Sequence, residues 1–238
     1  MKTNQEYKNA ALAALKGNWA PAVLATVIFL LVASLAYTPA TVPTLTGAVD
    51  PAEISTMASA GDIAGVMGIY SQVMRWNSLS SLLSIFLVSV VTIGFYNAFL
   101  RLLRNGDNRL TSNMFGIAFK NYWHKVWGFF LMGLFLCLWS LLLVIPGIIK
   151  AFSYAMTPYI LEDYPELSAN DAIDLSRAMM KGRKFDLFWL CLSFIGWGIL
   201  CILTAGIGFL WLVPYMETAT AAFYEDVKAD YEIKGGLI

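Results

Sequence analysis

Four apolar runs govern what this chain can fold into. Trp19–Tyr37, Leu79–Leu100, Val126–Ile149 and Leu187–Met216 contain no Asp, Glu, Lys or Arg. A helix needs ~20 apolar residues to cross ~30 Å of hydrocarbon. The last run has 30 residues, about 45 Å of helix at 1.5 Å per residue, too long for one straight crossing. Composition agrees. The chain is 58% hydrophobic and 13% charged, whereas soluble domains carry roughly 25% charged residues. Too little polar surface remains to cover a water-soluble globule, and we expect one all-α domain over 1–238, a polytopic transmembrane helical bundle.

Two interruptions set the expected number of spans. Pro146-Gly147 and Ala205-Gly206-Ile207-Gly208 break the third and last runs, as Pro and Gly do at turns. Reading both as hairpins predicts six spans, at about 19–37, 79–100, 125–145, 148–162, 186–204 and 208–224. An outer loop falls at about 38–78, and cytoplasmic segments at about 1–18, 101–124, 163–185 and 225–238. In this arrangement 14 of the 16 basic residues lie on the inner side, with Arg75 and Lys150 outside. A four-span arrangement would put five basic residues of 150–186 outside. The excess of Lys and Arg in cytoplasmic loops favours six, with both termini cytoplasmic. Lys2, Lys8 and Lys16 followed by Trp19–Tyr37 resemble a signal peptide, and Ser34-Leu35-Ala36 a cleavage site. The run exceeds the usual ~7–15-residue apolar core, so an uncleaved span is expected. Trp19, Trp76, Trp123, Trp127, Trp189 and Trp211 fall near span ends, where aromatic rings favour the interface.

Three inner segments read as amphipathic helices lying on the membrane. The first opens on Thr3 and Glu6, spaced as a capping box, with Tyr7, Ala11, Ala14 and Leu15 on one face. The second follows Thr111-Ser112-Asn113 and aligns Phe115, Ala118, Phe119 and Tyr122. The third opens on Ser168 and Asp171. It sets Ala172, Ile173, Ser176, Met179 and Met180 against Asn170, Asp174, Arg177 and Lys181, and Gly182 fits its stop. Each segment ends on a lysine with an aromatic three or four residues later: Lys16 and Trp19, Lys120 and Trp123, Lys181 and Phe185. This predicts a threefold architecture of surface helix plus membrane hairpin. Within the outer loop, Asp50-Pro51 resembles a helix start, and Ile63, Val66, Tyr70 and Val73 could line a short helix.

Catalytic motifs are missing from the sequence. It has no HExxH, GxSxG or P-loop, no nucleic-acid-reading motif, and one histidine, His124, which cannot build a zinc site alone. The cysteines Cys137, Cys191 and Cys201 lie in apolar runs without CxxC spacing. Gly94-x-x-x-Ala98 suggests close helix packing. Two charges at membrane depth stand out. Lys150 shares a helix face with Ser153, Tyr154 and Thr157, and Glu217 shares one with Thr220 and Tyr224. Intramembrane charge is costly and faces protein or water. The candidate ligand-binding set is therefore Lys150, Tyr154, Thr157 and Glu217, with Thr157 and Glu217 about 14 Å deep in a common polar pocket. No cofactor, metal or catalytic residue is predicted.

Pro146-Gly147-Ile148-Ile149-Lys150, Ser153-Tyr154, Tyr159, Asp163, Ser176, Met180-Lys181-Gly182, Leu187-Phe188, Ser193-Phe194-Ile195-Gly196-Trp197, Pro214-Tyr215 and Phe223-Tyr224 carry a family resemblance. With Ala14-Leu15-Lys16-Gly17-Asn18-Trp19, they resemble the bacterial membrane-protein family catalogued as domain of unknown function 975. The likeness covers the chain outside 38–78. It implies a multi-pass protein of the bacterial cytoplasmic membrane, of unknown activity. More remotely, the proline-glycine break and the Ser-x-x-x-Met-Lys-Gly helix are similar to the membrane domain attached to some glycerophosphodiester phosphodiesterases, whose catalytic domain has no counterpart here. The expected function is a non-enzymatic scaffold that organises lipids or partner proteins in the bilayer. The alternative is a transporter or binder of a small or lipid-like solute.

Overall fold

A computed structural model of the chain describes residues 2–37 and 51–235, which form helices joined by turns and short connecting segments. The helices are α1 (Asn4–Leu15), α2 (Trp19–Tyr37), α3 (Pro51–Ser59), α4 (Ile63–Asn105), α5 (Leu110–Phe119), α6 (Tyr122–Leu142), α7 (Val144–Tyr154), α8 (Thr157–Asp163), α9 (Ala169–Met179), α10 (Lys184–Leu192), α11 (Ile195–Leu203) and α12 (Phe209–Ile233). Four stretches are long and apolar enough to cross a membrane: Phe86–Asn105 of α4, Tyr122–Leu142, Val144–Asp163 and Lys184–Leu203. The pair α1 and α2, bent by 99°, passes the same test when its two helices are taken together, which brings the number to at most five among the described residues. In α12 the apolar part before Glu225 is short and carries Glu217.

The chain divides into two compact units, 30–88 and 1–29 with 89–238. The smaller unit holds the end of α2, α3 and the start of α4. Gly61, at φ +74°, turns the chain between α3 and α4, and Asp62 accepts the Gly65 N–H at 2.9 Å. The short outer helix expected around residues 63–73 and the second span are one continuous helix of 43 residues, about 65 Å long. Nothing in 63–105 breaks it, because its glycines are isolated and it lacks proline. The expected loop 38–50, including Asp50, lies outside the described residues.

The larger unit is organised around the second half of α12. Phe223, Tyr224 and Ala219 of α12 pack with Tyr7 and Ala11 of α1, Tyr159 and Ile160 of α8, Met179 of α9, Met180, and Leu187 and Leu190 of α10. The amphipathic faces of α1 and α9 are thus covered by the chain's own core. The apolar faces expected on these helices are the buried ones, and they pack on protein. For α5 the buried face is Leu110, Met114, Ile117 and Ala118, while Phe119 is exposed. Thr111-Ser112-Asn113 falls inside that helix. Its entry is held by Asp107, which accepts from the Arg109 N–H at 3.1 Å and the Asn113 amide at 3.0 Å.

The threefold pattern has a conformational counterpart. After Lys16, Lys120 and Lys181 the next residue adopts the left-handed region, Gly17 at φ +83°, Asn121 at +53° and Gly182 at +83°. Gly and Asn tolerate that region best, so each amphipathic helix ends there and its membrane helix starts within two residues. The hairpins also close alike. A Cβ on Gly147 would meet Ser140 Oγ at 2.5 Å, and one on Gly208 would meet Cys201 Sγ at 2.7 Å. Each glycine, seven residues after its partner, lets two arms touch at the tip. The first break lies at Leu143, with extended backbone, three residues before Pro146. That proline occupies the first turn of α7, where no intrahelical N–H is needed. The second break falls as expected, with Ala205 at φ +52° and Gly206 at +86°.

Gly94 does pack closely, since a Cβ there would lie 2.1 Å from the Met114 carbonyl and 3.1 Å from the Ala118 methyl. Gly94→Ala should therefore lower stability in detergent by about 1–3 kcal/mol through overpacking. Gly182→Ala, with open space around the added methyl, should cost about 1–2 kcal/mol from backbone strain alone. Thermal unfolding of both variants beside Gly133→Ala, a helical glycine with equally open space, checks the ranking.

Candidate functional site

The site is held by ion pairs gathered around the second half of α12. Glu162 and Asp163 close the apolar α7–α8 stretch. Glu162 receives Lys125 Nζ at 2.7 Å and Arg101 at 3.1 Å. Asp163 accepts two guanidinium bonds from Arg104 at 2.8 and 2.7 Å, the Tyr224 hydroxyl at 2.9 Å and Lys228 at 2.8 Å. Arg183, 3% exposed, donates to Asp226 at 2.6 Å and to the Tyr7 hydroxyl at 3.2 Å, and Tyr7 donates to Asp226 at 2.7 Å. Burial alone would push the Asp226 carboxyl up, but the Arg183 guanidinium and the Tyr7 hydroxyl outweigh it and hold the group below the usual range. Burial and the Asp226 carboxylate together push the Tyr7 phenol well up. Apart from Asp163, Tyr7 and Tyr224, these paired groups were not expected as features of the sequence. The available signal was acid at the end of one apolar run, Glu162-Asp163, against base at the end of another, Arg101 and Arg104.

This network fixes where α9 leaves α8 and where α10 begins, and a cleft opens between them and the α6–α7 hairpin. Ser176 Oγ donates to the Ser153 carbonyl at 2.9 Å and pins α9 to α7. His124 contacts the Leu167 carbonyl at 2.8 Å and pins the start of α9 to α6. The buried face of α9 is the expected one, so Asp174 and Arg177 point outward, paired at 2.5 Å. Lys150 Nζ sits 4.4 Å from the centre of the Trp139 ring, a cation–π contact across the hairpin. One cavity of about 290 Å³ is lined by Trp139, Lys150, Tyr154, Asp174 and Arg177, and an adjoining one of about 480 Å³ by Lys150, Ser153, Arg177, Lys181 and Lys184. A third, of about 430 Å³, shares Lys181 and Lys184 but is otherwise walled by Ile148, Ile149, Phe152, Phe185 and Phe188.

The four predicted site residues therefore separate into two places. Lys150 and Tyr154 line the cleft. Thr157 is fully buried in α8, its hydroxyl without a hydrogen-bond partner. Glu217, half-buried on α12, lies within electrostatic range of Tyr96, Tyr159 and Cys191. Tyr159 stacks between Tyr96 at 6.1 Å and Tyr224 at 4.9 Å, and its buried hydroxyl also has no partner. Lys150, Arg177 and Lys184 line one cleft, so the structure brings together residues that the six-span reading sets on opposite sides of the bilayer. Among the described residues no group of three or more His, Cys, Asp or Glu could hold a metal ion.

Arg183→Met should cost about 3–5 kcal/mol, because it leaves a largely buried carboxylate unpaired. Asp226, with its native pKa depressed, adds stability above its ordinary pKa of about 3.9, and that stability is lost as the pH falls through the depressed native value. Melting in detergent should weaken as pH falls below about 4, and Asp226→Asn should flatten that slope.

Comparison with known proteins adds one match. No curated protein and no solved structure matches the chain. The family model described as protein of unknown function (DUF975) matches residues 1–153 and 141–231. The chain belongs to that family, as its proline-glycine break and Met-Lys-Gly helix stop indicated.

Proposed function

We propose that the protein is a non-enzymatic component of the bacterial cytoplasmic membrane that organises lipid, and partner proteins beside it. The observation that carries this reading is the cleft, where a groove walled by Ile148, Ile149, Phe152, Phe185 and Phe188 runs into a floor of Lys150, Arg177, Lys181 and Lys184. Hydrocarbon beside fixed charge matches an amphiphile. The neighbouring carboxylates are engaged with cations that tie helices together, which supports a holding role for them over a chemical one.

The same residues support a finer topology. Charges on one cleft share one aqueous face. Lys150 is seven residues from the hairpin break at Leu143, about 10 Å of helix, against ~30 Å of hydrocarbon. The tip, Leu141 to Ile145, is apolar and exposed at every position, with no polar group to meet a second aqueous phase. We read the six membrane segments as four crossings, in α2, the end of α4, α10–α11 and the start of α12, plus α6–α7 as an oblique re-entrant hairpin. A hairpin that enters and leaves at one face keeps both termini in the cytoplasm. It also moves Lys150 to the inner side with the other basic residues, leaving Arg75 outside.

A second reading, a site for a small solute at Glu217, is favoured by the Thr157 and Tyr159 hydroxyls, buried without partners, Tyr159 lying within range of that carboxylate.

Native mass spectra of protein purified in mild detergent test the main reading. Wild type should retain phospholipid that Ile149→Glu, in the groove wall, releases. Retention no greater than in that variant would overturn the proposal. A non-lipid adduct held by wild type and lost from Glu217→Gln would establish the second reading. Topology is tested in a background lacking Cys137, Cys191 and Cys201. A cysteine at Leu143 should resist impermeant maleimide added outside intact cells, while one at Ser59 reacts. Labelling of both would show that the hairpin crosses.

A further inference from the structure

We propose that the cleft is a binding site for an anionic glycerophospholipid, its phosphate on Lys150, Arg177 and Lys184 and one acyl chain along Ile149, Phe152 and Phe188. This rests on the lipid reading above and names the chemistry of the headgroup. The two cavities are one surface, since Lys181 and Lys184 line both. The apolar arm, about 430 Å³, presents aliphatic and aromatic carbon almost throughout. The polar arm, about 480 Å³, carries four cations and a single carboxylate, Asp174, which is already paired with Arg177. Among the described residues Lys150, Lys181 and Lys184 have no carboxylate partner. Their excess positive charge is uncompensated by the chain, and it sits where an acyl groove ends.

A zwitterionic headgroup would set its own cation against this cluster. An anionic one would neutralise it, and like-sign juxtaposition discriminates against the wrong partner. A free phosphate would satisfy the charge but leave the groove unused, so the occupant we commit to is the lipid. Lys150 is positioned for a phosphate by Trp139, whose ring holds the ammonium at 4.4 Å. Arg177 is presented by α9, whose buried face and bond to Ser153 fix its rotation.

The full chain in a neutral maltoside detergent is titrated with phosphatidylglycerol, phosphatidylcholine or inorganic phosphate, and binding is read by native mass spectrometry and thermal shift. Phosphatidylglycerol should bind more tightly than phosphatidylcholine. Lys150→Gln combined with Lys184→Gln should weaken phosphatidylglycerol by roughly five-fold per cation removed and leave phosphatidylcholine unchanged. Both lysines are half-buried and line an open cleft, and the melting temperature without lipid verifies that the variant folds. Equal affinity for the two lipids, in wild type and variant alike, would overturn the anionic site and leave the lipid-organising function standing. Binding of neither lipid would overturn both. Inorganic phosphate stabilising the protein as much as phosphatidylglycerol would overturn the assignment to lipid.

Discussion

The larger unit depends on the charges fixed around the second half of α12. Lys125 and Arg183 are almost fully buried, and removing such ions from water costs several kcal/mol each. That cost is offset only where each ion finds a carboxylate and further hydrogen bonds, as Lys125 does with Glu162 and Arg183 with Asp226 and Tyr7. The ion pairs join α4 and α6 to α8, α4 to α12, and the start of α10 to α12, and the Tyr7 hydroxyl adds a hydrogen bond from α1 to α12. In hydrocarbon, apolar surface gives helices little reason to prefer one neighbour over another, because lipid tails are as apolar as leucine. Geometrically demanding ion pairs at one end can therefore select partners that the apolar faces alone would not.

From that end outward, two small devices repeat. A lysine followed by a residue at positive φ ends each amphipathic helix and redirects the chain into a membrane helix. At the far end of two hairpins, a glycine lets the arms meet. The buried faces of α1 and α9 then turn inward, because the redirecting bend places each helix against the core that its following hairpin helps to build. This explains why Met179 and Met180, which resemble an exposed lipid-facing pair in sequence, are core residues.

What could be read from the sequence divides along physical lines. Hydropathy, capping and turn chemistry are local, and they identified the helical class, the Thr3 and Ser168 caps, the two faces of α9 and the turn at Ala205-Gly206. Pro146 misled by three residues, since proline tolerates a helix's first turn as well as a break. In α5 the buried face is Leu110, Met114, Ile117 and Ala118, so of the expected face in that helix Ala118 is buried and Phe119 exposed, a choice made by packing and not by spacing. Nothing in residues 63–105 signalled a single 43-residue helix, because a span and a polar extension can share one backbone. The candidate site was half legible. Lys150 and Tyr154 share a cleft, but spacing along α7 and α12 cannot say that Glu217 lies with Tyr96 and Tyr159, since that depends on how the hairpins pack.

The cleft was hidden for a related reason. Arg177 and Lys181 read in sequence as the solvated face of a surface helix, and Lys150 as a charge at the opposite end of a span. Only packing brings them together, through the Ser176–Ser153 bond and the Trp139 ring. Once they share a surface, Lys150 and Glu217 no longer belong to one polar pocket. In the re-entrant hairpin we propose, the Lys150 ammonium would meet water and headgroups directly, while the seven residues from Leu143 to Ile149 would carry the hairpin into hydrocarbon. The same placement that removes the cost of an intramembrane lysine also provides the cationic end of an acyl-lined groove.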